Sequence, residues 1–164
     1  MARLIRTLLS PWVLGGLLLI CLAGMMRTGI ALYTLNSHNQ WLAKPEQIEV
    51  GHDTDPLLVF AKARQLQQAG DPLEAIRLYG GILQQGDARF RARVRYNLGT
   101  LYLRDAAKVW KERGLLEYAR INTLLSAAKD NLRESLTLEP EQWDARYNLE
   151  YAYRITPPPK ERSK

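Results

Sequence analysis

The sequence predicts an all-α protein in which one N-terminal transmembrane helix precedes a short domain of helical-hairpin repeats. Three observations lead to this prediction. Twenty consecutive uncharged residues lie near the amino terminus, two similar segments begin at Arg95 and Arg146, and Gly, Asp and Pro stand where helices should begin and end. A single cysteine in 164 residues excludes a disulfide scaffold and a Cys-rich zinc module.

The charge is spread unevenly along the chain. The sequence has 23 Lys+Arg and 17 Asp+Glu, and residues 1–43 contain three arginines and no acid. The other 20 basic and 17 acidic side chains lie in residues 44–164, which are therefore close to neutral. Because a nucleic-acid-binding protein concentrates positive charge on its folded part, nucleic acid is not predicted as a partner.

The uncharged segment, residues 7–26, lies between Arg6 and Arg27. As a helix it is about 30 Å long, which matches the hydrocarbon core of a bilayer. Arg3 and Arg6 make the preceding end positive, so the positive-inside rule keeps that end in the cytoplasm and sends the repeats to the periplasm. Residues 1–27 are thus predicted to be a cytoplasmic amino terminus and an inner-membrane anchor.

A cleaved signal peptide is the main alternative for this segment. The length of the apolar run favours an uncleaved anchor, and residues 23–27 offer no clean small-x-small cleavage site. Cys21 is then a small apolar residue within the membrane. A cytoplasmic orientation of the repeats is a second alternative.

Residues 28–56 are predicted to be a connector: the outer end of the anchor helix, followed by a mostly irregular tether. His52, Asp53 and Asp55 raise the question of a metal site. A calcium loop that starts at Asp53 would need Gly and Glu where Leu58 and Arg64 stand, so no metal is predicted. Asp55 or Thr54 is instead expected to cap the next helix.

Two stretches of eight residues, 95–102 and 146–153, share Arg, Tyr, Asn, Leu and a final Tyr. Both match the first helix of a tetratricopeptide repeat, which carries a Leu-Gly pair with Tyr three residues after the Gly. The second helix of that repeat carries Ala and, four residues later, an aromatic side chain. The sequence therefore predicts a tetratricopeptide-like repeat domain over residues 57–156.

The first unit is predicted over residues 57–84. Ala75 and Tyr79 form the signature pair of its second helix, and Ala63, twelve residues before Ala75, is the small residue of its first helix. Gly70 is expected to end the first helix, and a capping box formed by Asp71 and Glu74 is expected to start the second.

The second unit is predicted over residues 91–139 and is longer than a standard repeat. Gly99 is its small residue and Tyr102 its aromatic residue, but the matching alanine is Ala128, which lies 17 residues later than the repeat pattern requires. Its helices are therefore expected to be elongated and to turn at Gly114. Pro140 follows the unit, a capping helix is predicted over residues 143–155, and residues 157–164 are predicted to be a disordered tail.

The sequence contains no phosphate-binding glycine loop, no Cys/His metal set and no Gly-x-Ser-x-Gly. It is therefore predicted not to be an enzyme, with no catalytic residue, cofactor or metal. The predicted site is a groove formed by the first helices of the units, where amides and charges would hold a partner's segment. The residues placed there by repeat spacing are Arg64, Tyr96, Asn97, Thr100, Arg104, Tyr147, Asn148 and Tyr151.

Residues 136–157, with Leu138-Glu139-Pro140 and the run from Trp143 to Glu150, resemble the carboxy-terminal end of MxaK-like proteins. The run from Asn97 to Arg104 is also similar to that family. The resemblance implies a membrane anchor, a short tetratricopeptide domain, and action beside a MoxR-type ATPase and von Willebrand factor A domain proteins. It further implies a role in maturing periplasmic methanol dehydrogenase, including calcium insertion. Glu150 departs from the repeat class, which prefers Gly or Ala there.

The sequence and the resemblance together predict a membrane-anchored, non-enzymatic adaptor. Its expected partners are von Willebrand factor A domain proteins, the MoxR-type ATPase system and a periplasmic client such as methanol dehydrogenase. Two alternatives remain open. One is a general periplasmic folding helper that holds unfolded chains, and the other is a structural subunit of an inner-membrane complex.

Overall fold

The computed structural model describes residues 11–156, and these residues form helices and connecting segments without a β-strand. The α-helices are α1 (Pro11–Ala43), α2 (Pro56–Ala69), α3 (Pro72–Gly81), α4 (Ala88–Arg113), α5 (Tyr118–Leu138) and α6 (Trp143–Arg154). Short 3-10 helices cover Pro45–Gln47 and Gly114–Glu117. The chain divides into two compact units, one up to Lys44 and one from Pro45, and each is described by itself.

In the part of the first unit that the structure describes, residues 11–43 form one long helix, α1. Among the described residues, it is the one helix long and apolar enough to cross a bilayer, a finding of length and composition alone. The first residues of the predicted span, together with Arg3 and Arg6, lie outside the described residues. So does the predicted disordered tail, residues 157–164.

Helix α1 continues through residues 28–43, most of which were expected to be irregular connector. Between Ile30 and Lys44 the sequence has no Gly or Pro to end a helix. The hydroxyl of Thr28 donates hydrogen bonds to the Gly24 and Met25 carbonyls, at 3.0 and 2.9 Å. The helix stops at Ala43 because the residue before Pro45 is biased away from helical backbone angles.

The repeat domain begins with a segment that packs on α2. The side chain of Ile48 is buried, and Lys62 of α2 donates a hydrogen bond to the Glu46 carbonyl at 2.7 Å. Part of the predicted connector therefore belongs to the folded domain. Asp55 starts α2 by accepting a hydrogen bond from the backbone N–H of Leu57 at 2.7 Å.

The turn between α2 and α3 contains the predicted helix-ending glycine, but only one of the two hydrogen bonds of the predicted capping box forms. Gly70 has φ 87°, and the backbone N–H of Asp71 donates to the Leu66 carbonyl at 2.9 Å. Asp71 caps α3 by accepting from the Glu74 N–H at 3.2 Å. Because the Asp71 N–H is already satisfied, the Glu74 carboxylate pairs with Arg77 instead, and this pairing lowers the pKa of Glu74.

The helices stack in chain order. Helix α2 packs on α3 and α4 on α5, while α3 contacts α4, and α6 contacts both α5 and α4. One core cluster fills the space between α2, α3 and the first part of α4, and a second lies between α4, α5 and α6. Tyr102 is half-buried and packs against both clusters. Of the repeat-signature residues, Ala63, Ala75, Tyr79, Gly99 and Ala128 are buried and Pro140 is exposed.

Helix α4 begins three residues earlier than predicted. The missed signal is Asp87, whose carboxylate accepts a hydrogen bond from the Phe90 N–H at 2.7 Å and so starts the helix at Ala88. The turn to α5 occurs at Gly114, as predicted, where the backbone adopts φ 56°. Positive φ favours glycine, so this turn has a local cause in the sequence.

Helices α4 and α5 approach each other closely at Gly99. A Cβ atom added at Gly99 would lie 2.8 Å from Cγ of Leu132 and 3.1 Å from the Ala128 carbonyl oxygen. The Ser135 hydroxyl joins the same pair of helices through a buried hydrogen bond to the Ala92 carbonyl at 2.8 Å. The hairpin therefore depends on having no side chain at residue 99.

Helix α6 closes the described array. Ala145 and Ala152 are buried, and the Arg133 guanidinium of α5 donates to the Tyr153 hydroxyl at 3.0 Å, which raises the pKa of Arg133. Glu150 occupies in α6 the position that Gly99 occupies in α4. It is exposed and accepts a hydrogen bond from Arg154.

Gly99→Ala is expected to destabilise the repeat domain by about 1–3 kcal/mol, since the added methyl group overpacks the α4–α5 contact. The control is Gly80→Ala in α3, where a Cβ atom meets nothing within 4 Å. This control should stabilise by up to about 1 kcal/mol, because alanine favours the helix. Chemical denaturation of the full chain in mild detergent, followed by circular dichroism, measures both changes. Equal effects of the two substitutions would contradict the close contact.

The repeat domain is expected to lose stability above about pH 10, the ordinary pKa of tyrosine. Burial raises the pKa of Tyr79, and the nearby Arg64 opposes this effect only in part. The neutral phenol therefore stabilises the folded state below pH 10, and this contribution is lost as the pH rises towards the folded-state pKa. Tyr79→Phe should remove that part of the decline in denaturation experiments at pH 8 to 11. Tyr147→Phe, at an exposed ring, is the control that should keep it.

Candidate partner-binding groove

A groove lies between α4 and α6 on one face of the repeat domain. Its volume is about 320 Å³. Helix α4 contributes Tyr96, Thr100, Leu103, Arg104 and Ala107, and helix α6 contributes Tyr147, Asn148 and Tyr151. Six of these eight residues are ones that the repeat spacing places in the predicted site.

Helical periodicity explains which residues of α4 meet at the groove. Tyr96, Thr100 and Arg104 are four residues apart, so they follow one another along one face of the helix. Leu103 and Ala107 lie on the same face, one residue before and three residues after Arg104. The prediction did not include these two, although they lie at i+3 and i+7 from Thr100, on the same helical face.

At the base of the groove, a hydrogen bond joins the two helices. The Asn148 side-chain amide of α6 donates to the Thr100 hydroxyl of α4 at 3.1 Å, and Thr100 is only 9% exposed. These two residues therefore hold α6 on α4. The amide oxygen of Asn148, which is half-buried, accepts no hydrogen bond from the described part of the chain.

The walls of the groove are aromatic and carry one cation. Tyr147 is 71% exposed and Tyr151 is 42% exposed, while Tyr96 is half-buried. Arg104 is exposed and forms no ion pair with any residue between 11 and 156. A partner that enters this groove would meet three tyrosine rings, their hydroxyl groups and a guanidinium free to bind a carboxylate.

Arg64 and Asn97, which the repeat spacing also predicts as site residues, do not line the cavity between α4 and α6. Arg64 is exposed on α2, where it influences Tyr79 electrostatically. The Asn97 side chain donates to the Arg93 carbonyl of its own helix at 2.8 Å. This hydrogen bond holds the Asn97 side chain against its own helix, and Asn97 does not line the groove.

The described residues contain no cluster of three or more His, Cys, Asp or Glu side chains arranged to hold a metal ion. Outside the groove, two aromatic rings of α6 form cation–π contacts. Lys129 of α5 lies 5.3 Å from the centre of the Tyr153 ring, and Arg146 lies 4.6 Å from that of Trp143.

The chain is similar to a solved structure described as a TPR repeats protein from Bacteroides fragilis NCTC 9343. The TM-score is 0.56 and the sequence identity is 17%, with 77% of this chain and 64% of that chain covered. This chain thus spans somewhat less than two thirds of the length of that protein. The likeness shows a tetratricopeptide-like helical fold. No family profile matches the sequence, and no curated protein matches it either.

Proposed function

We propose that this protein is a non-enzymatic adaptor that binds a segment of a partner protein in the groove between α4 and α6. The tetratricopeptide-like fold supports a role in protein–protein interaction. The observation that carries the proposal is the lining of the groove, where Tyr147 and Tyr151 are exposed together with Arg104, which forms no ion pair within residues 11–156. Exposed aromatic rings with an arginine are the side chains most enriched at binding hot spots.

We further propose that α1 anchors the adaptor in the inner membrane with the repeats in the periplasm. The length and apolar composition of α1 support anchoring, and the arginines before it support the orientation. Anchoring would raise the local concentration of the groove near membrane-bound partners. A reporter that is active only in the periplasm, fused after Lys164, should be active; an inactive fusion would overturn the orientation.

The proposed client is a periplasmic metalloenzyme such as methanol dehydrogenase. The adaptor would assist its maturation together with a MoxR-type ATPase and von Willebrand factor A domain proteins. This choice rests on the sequence resemblance of residues 136–157 to MxaK-like proteins. The adaptor would contribute binding and positioning, because no residue of the chain is assigned a catalytic role. The metal chemistry would belong to the client and its other partners.

A photo-crosslinking amino acid at Tyr151 is expected to capture the partner in living cells. The control position is Leu73, which is 79% exposed on α3, away from the groove. Adducts specific to position 151 should disappear in an Arg104→Glu background and persist in Arg93→Glu, an exposed arginine of α4 that does not line the groove. The same adducts at both positions would contradict a binding role for the groove.

Asn97→Ala and Asn148→Ala are poor tests of partner binding, because one side chain bonds within α4 and the other holds α6. If the protein is instead a structural subunit, a membrane complex should remain intact after Arg104→Glu and Tyr151→Ala. A general folding helper would give adducts with many unrelated secreted proteins at position 151. Mass spectrometry of the adducts separates these two alternatives from the adaptor.

Deletion of the gene is expected to leave the methanol dehydrogenase polypeptide present but calcium-poor and inactive. Immunoblotting, metal analysis and enzyme assay of the periplasmic fraction measure the three quantities. A chain carrying Arg104→Glu should fail to restore activity, whereas the Arg93→Glu chain should restore it. Normal enzyme activity in the deletion strain would discard this client while leaving the groove proposal open to the crosslinking test.

A further inference from the structure

The hairpin of α4 and α5 extends beyond the rest of the repeat domain. These helices have 26 and 21 residues, whereas α2 and α3 have 14 and 10. The second core cluster, which includes Ala152 of α6, reaches only to Val109 on α4 and to Ile121 on α5. Residues 110–118, called the hairpin tip below, contribute no buried side chain.

The hairpin tip exposes large apolar side chains. Leu116 is 91% exposed and Leu115 is 65% exposed, and both lie on the short 3-10 turn Gly114–Glu117. Trp110, in the last turn of α4, is 38% exposed. Single exposed apolar residues are ordinary on protein surfaces, but two adjacent leucines and a tryptophan on one protrusion indicate an interaction surface.

Basic side chains surround these apolar residues. Lys108, Lys111 and Arg113 are exposed, and within residues 11–156 none of them forms an ion pair. Arg120 lies 4.0 Å from Asp105. Residues 105–120 contain four cations and three acids, Asp105, Glu112 and Glu117, so the surface around the leucines is net positive even when Asp105 is counted.

We infer that the hairpin tip inserts into the surface of an anionic phospholipid bilayer. Leucine side chains suit the boundary of the acyl chains, tryptophan suits the headgroup level, and lysine and arginine bind the phosphates. The centre of a protein interface fits this composition less well, since such centres are depleted in lysine. The helix α1 of the same chain is also long and apolar enough for a bilayer. This inference is independent of what the groove binds.

A fluorescent probe on the tip tests the inference in the full chain. Cys21, the only cysteine, is changed to Ala, and a single Leu116→Cys substitution is labelled with a nitrobenzoxadiazole dye. The control is Leu73→Cys, an exposed leucine of α3 far along the chain from the tip. Both proteins are reconstituted in vesicles of phosphatidylglycerol and phosphatidylcholine that contain lipids with a shallow spin label, and vesicle-bound chain is collected by flotation.

The dye at position 116 is expected to shift to the blue and to be quenched by the spin label, and the dye at position 73 is expected to do neither. The double substitution Lys111→Gln and Arg113→Gln should lower the ratio of inserted to free tip about 25-fold, because each cation near an anionic surface raises this ratio about fivefold. Equal emission at positions 116 and 73 would overturn the inference and leave the tip as a surface for a protein. Unchanged quenching in the double Gln variant would overturn the role of the cations.

Discussion

The repeat domain depends on the contact between α4 and α5 at Gly99. There is no room for a side chain at this position, because the Leu132 side chain and the Ala128 carbonyl oxygen of α5 lie within 3.2 Å of where a Cβ atom would be. This contact fixes how close and at which register the two long helices lie. Helix α6 then packs on both helices, so the position of the groove between α4 and α6 depends on the contact between α4 and α5 at Gly99.

Two neighbouring residues of α4 serve two different interfaces. Gly99 faces α5, while Thr100 accepts a hydrogen bond from Asn148 of α6. Successive residues of a helix point about 100° apart, so α4 can contact α5 and α6 at the same height along its axis. The groove residues Tyr96 and Arg104 lie one turn before and one turn after Thr100. A change in the α4–α5 contact should therefore alter the groove without touching any residue that lines it.

The sequence predicts the helices well where small residues and glycine turns mark them, as at Gly70 and Gly114. The sequence-based prediction fails for the end of α1. Residues 30–44 contain no Gly or Pro that would end a helix, and α1 continues to Ala43. Six groove residues were predictable from repeat spacing, because the fold sets which positions of the first helices face the groove. Repeat spacing does not show that the Asn97 amide bonds to the Arg93 carbonyl of its own helix, whereas its counterpart Asn148 bonds across to Thr100. The Asn148–Thr100 bond could not be predicted, since it joins side chains 48 residues apart.

Glu150 has a consequence for the growth of the array. In a stacked repeat the residue at this position meets the second helix of its own unit, and in α4 that residue is a glycine. In α6 it is a charged side chain paired with Arg154 on the surface. Another helix packed against this face would have to remove both charges from water, which costs more than their attraction returns unless the geometry is excellent. The Glu150–Arg154 ion pair therefore disfavours the packing of a further helix on this face, and an engineered extension by grafted repeats would first require a small apolar residue in place of Glu150.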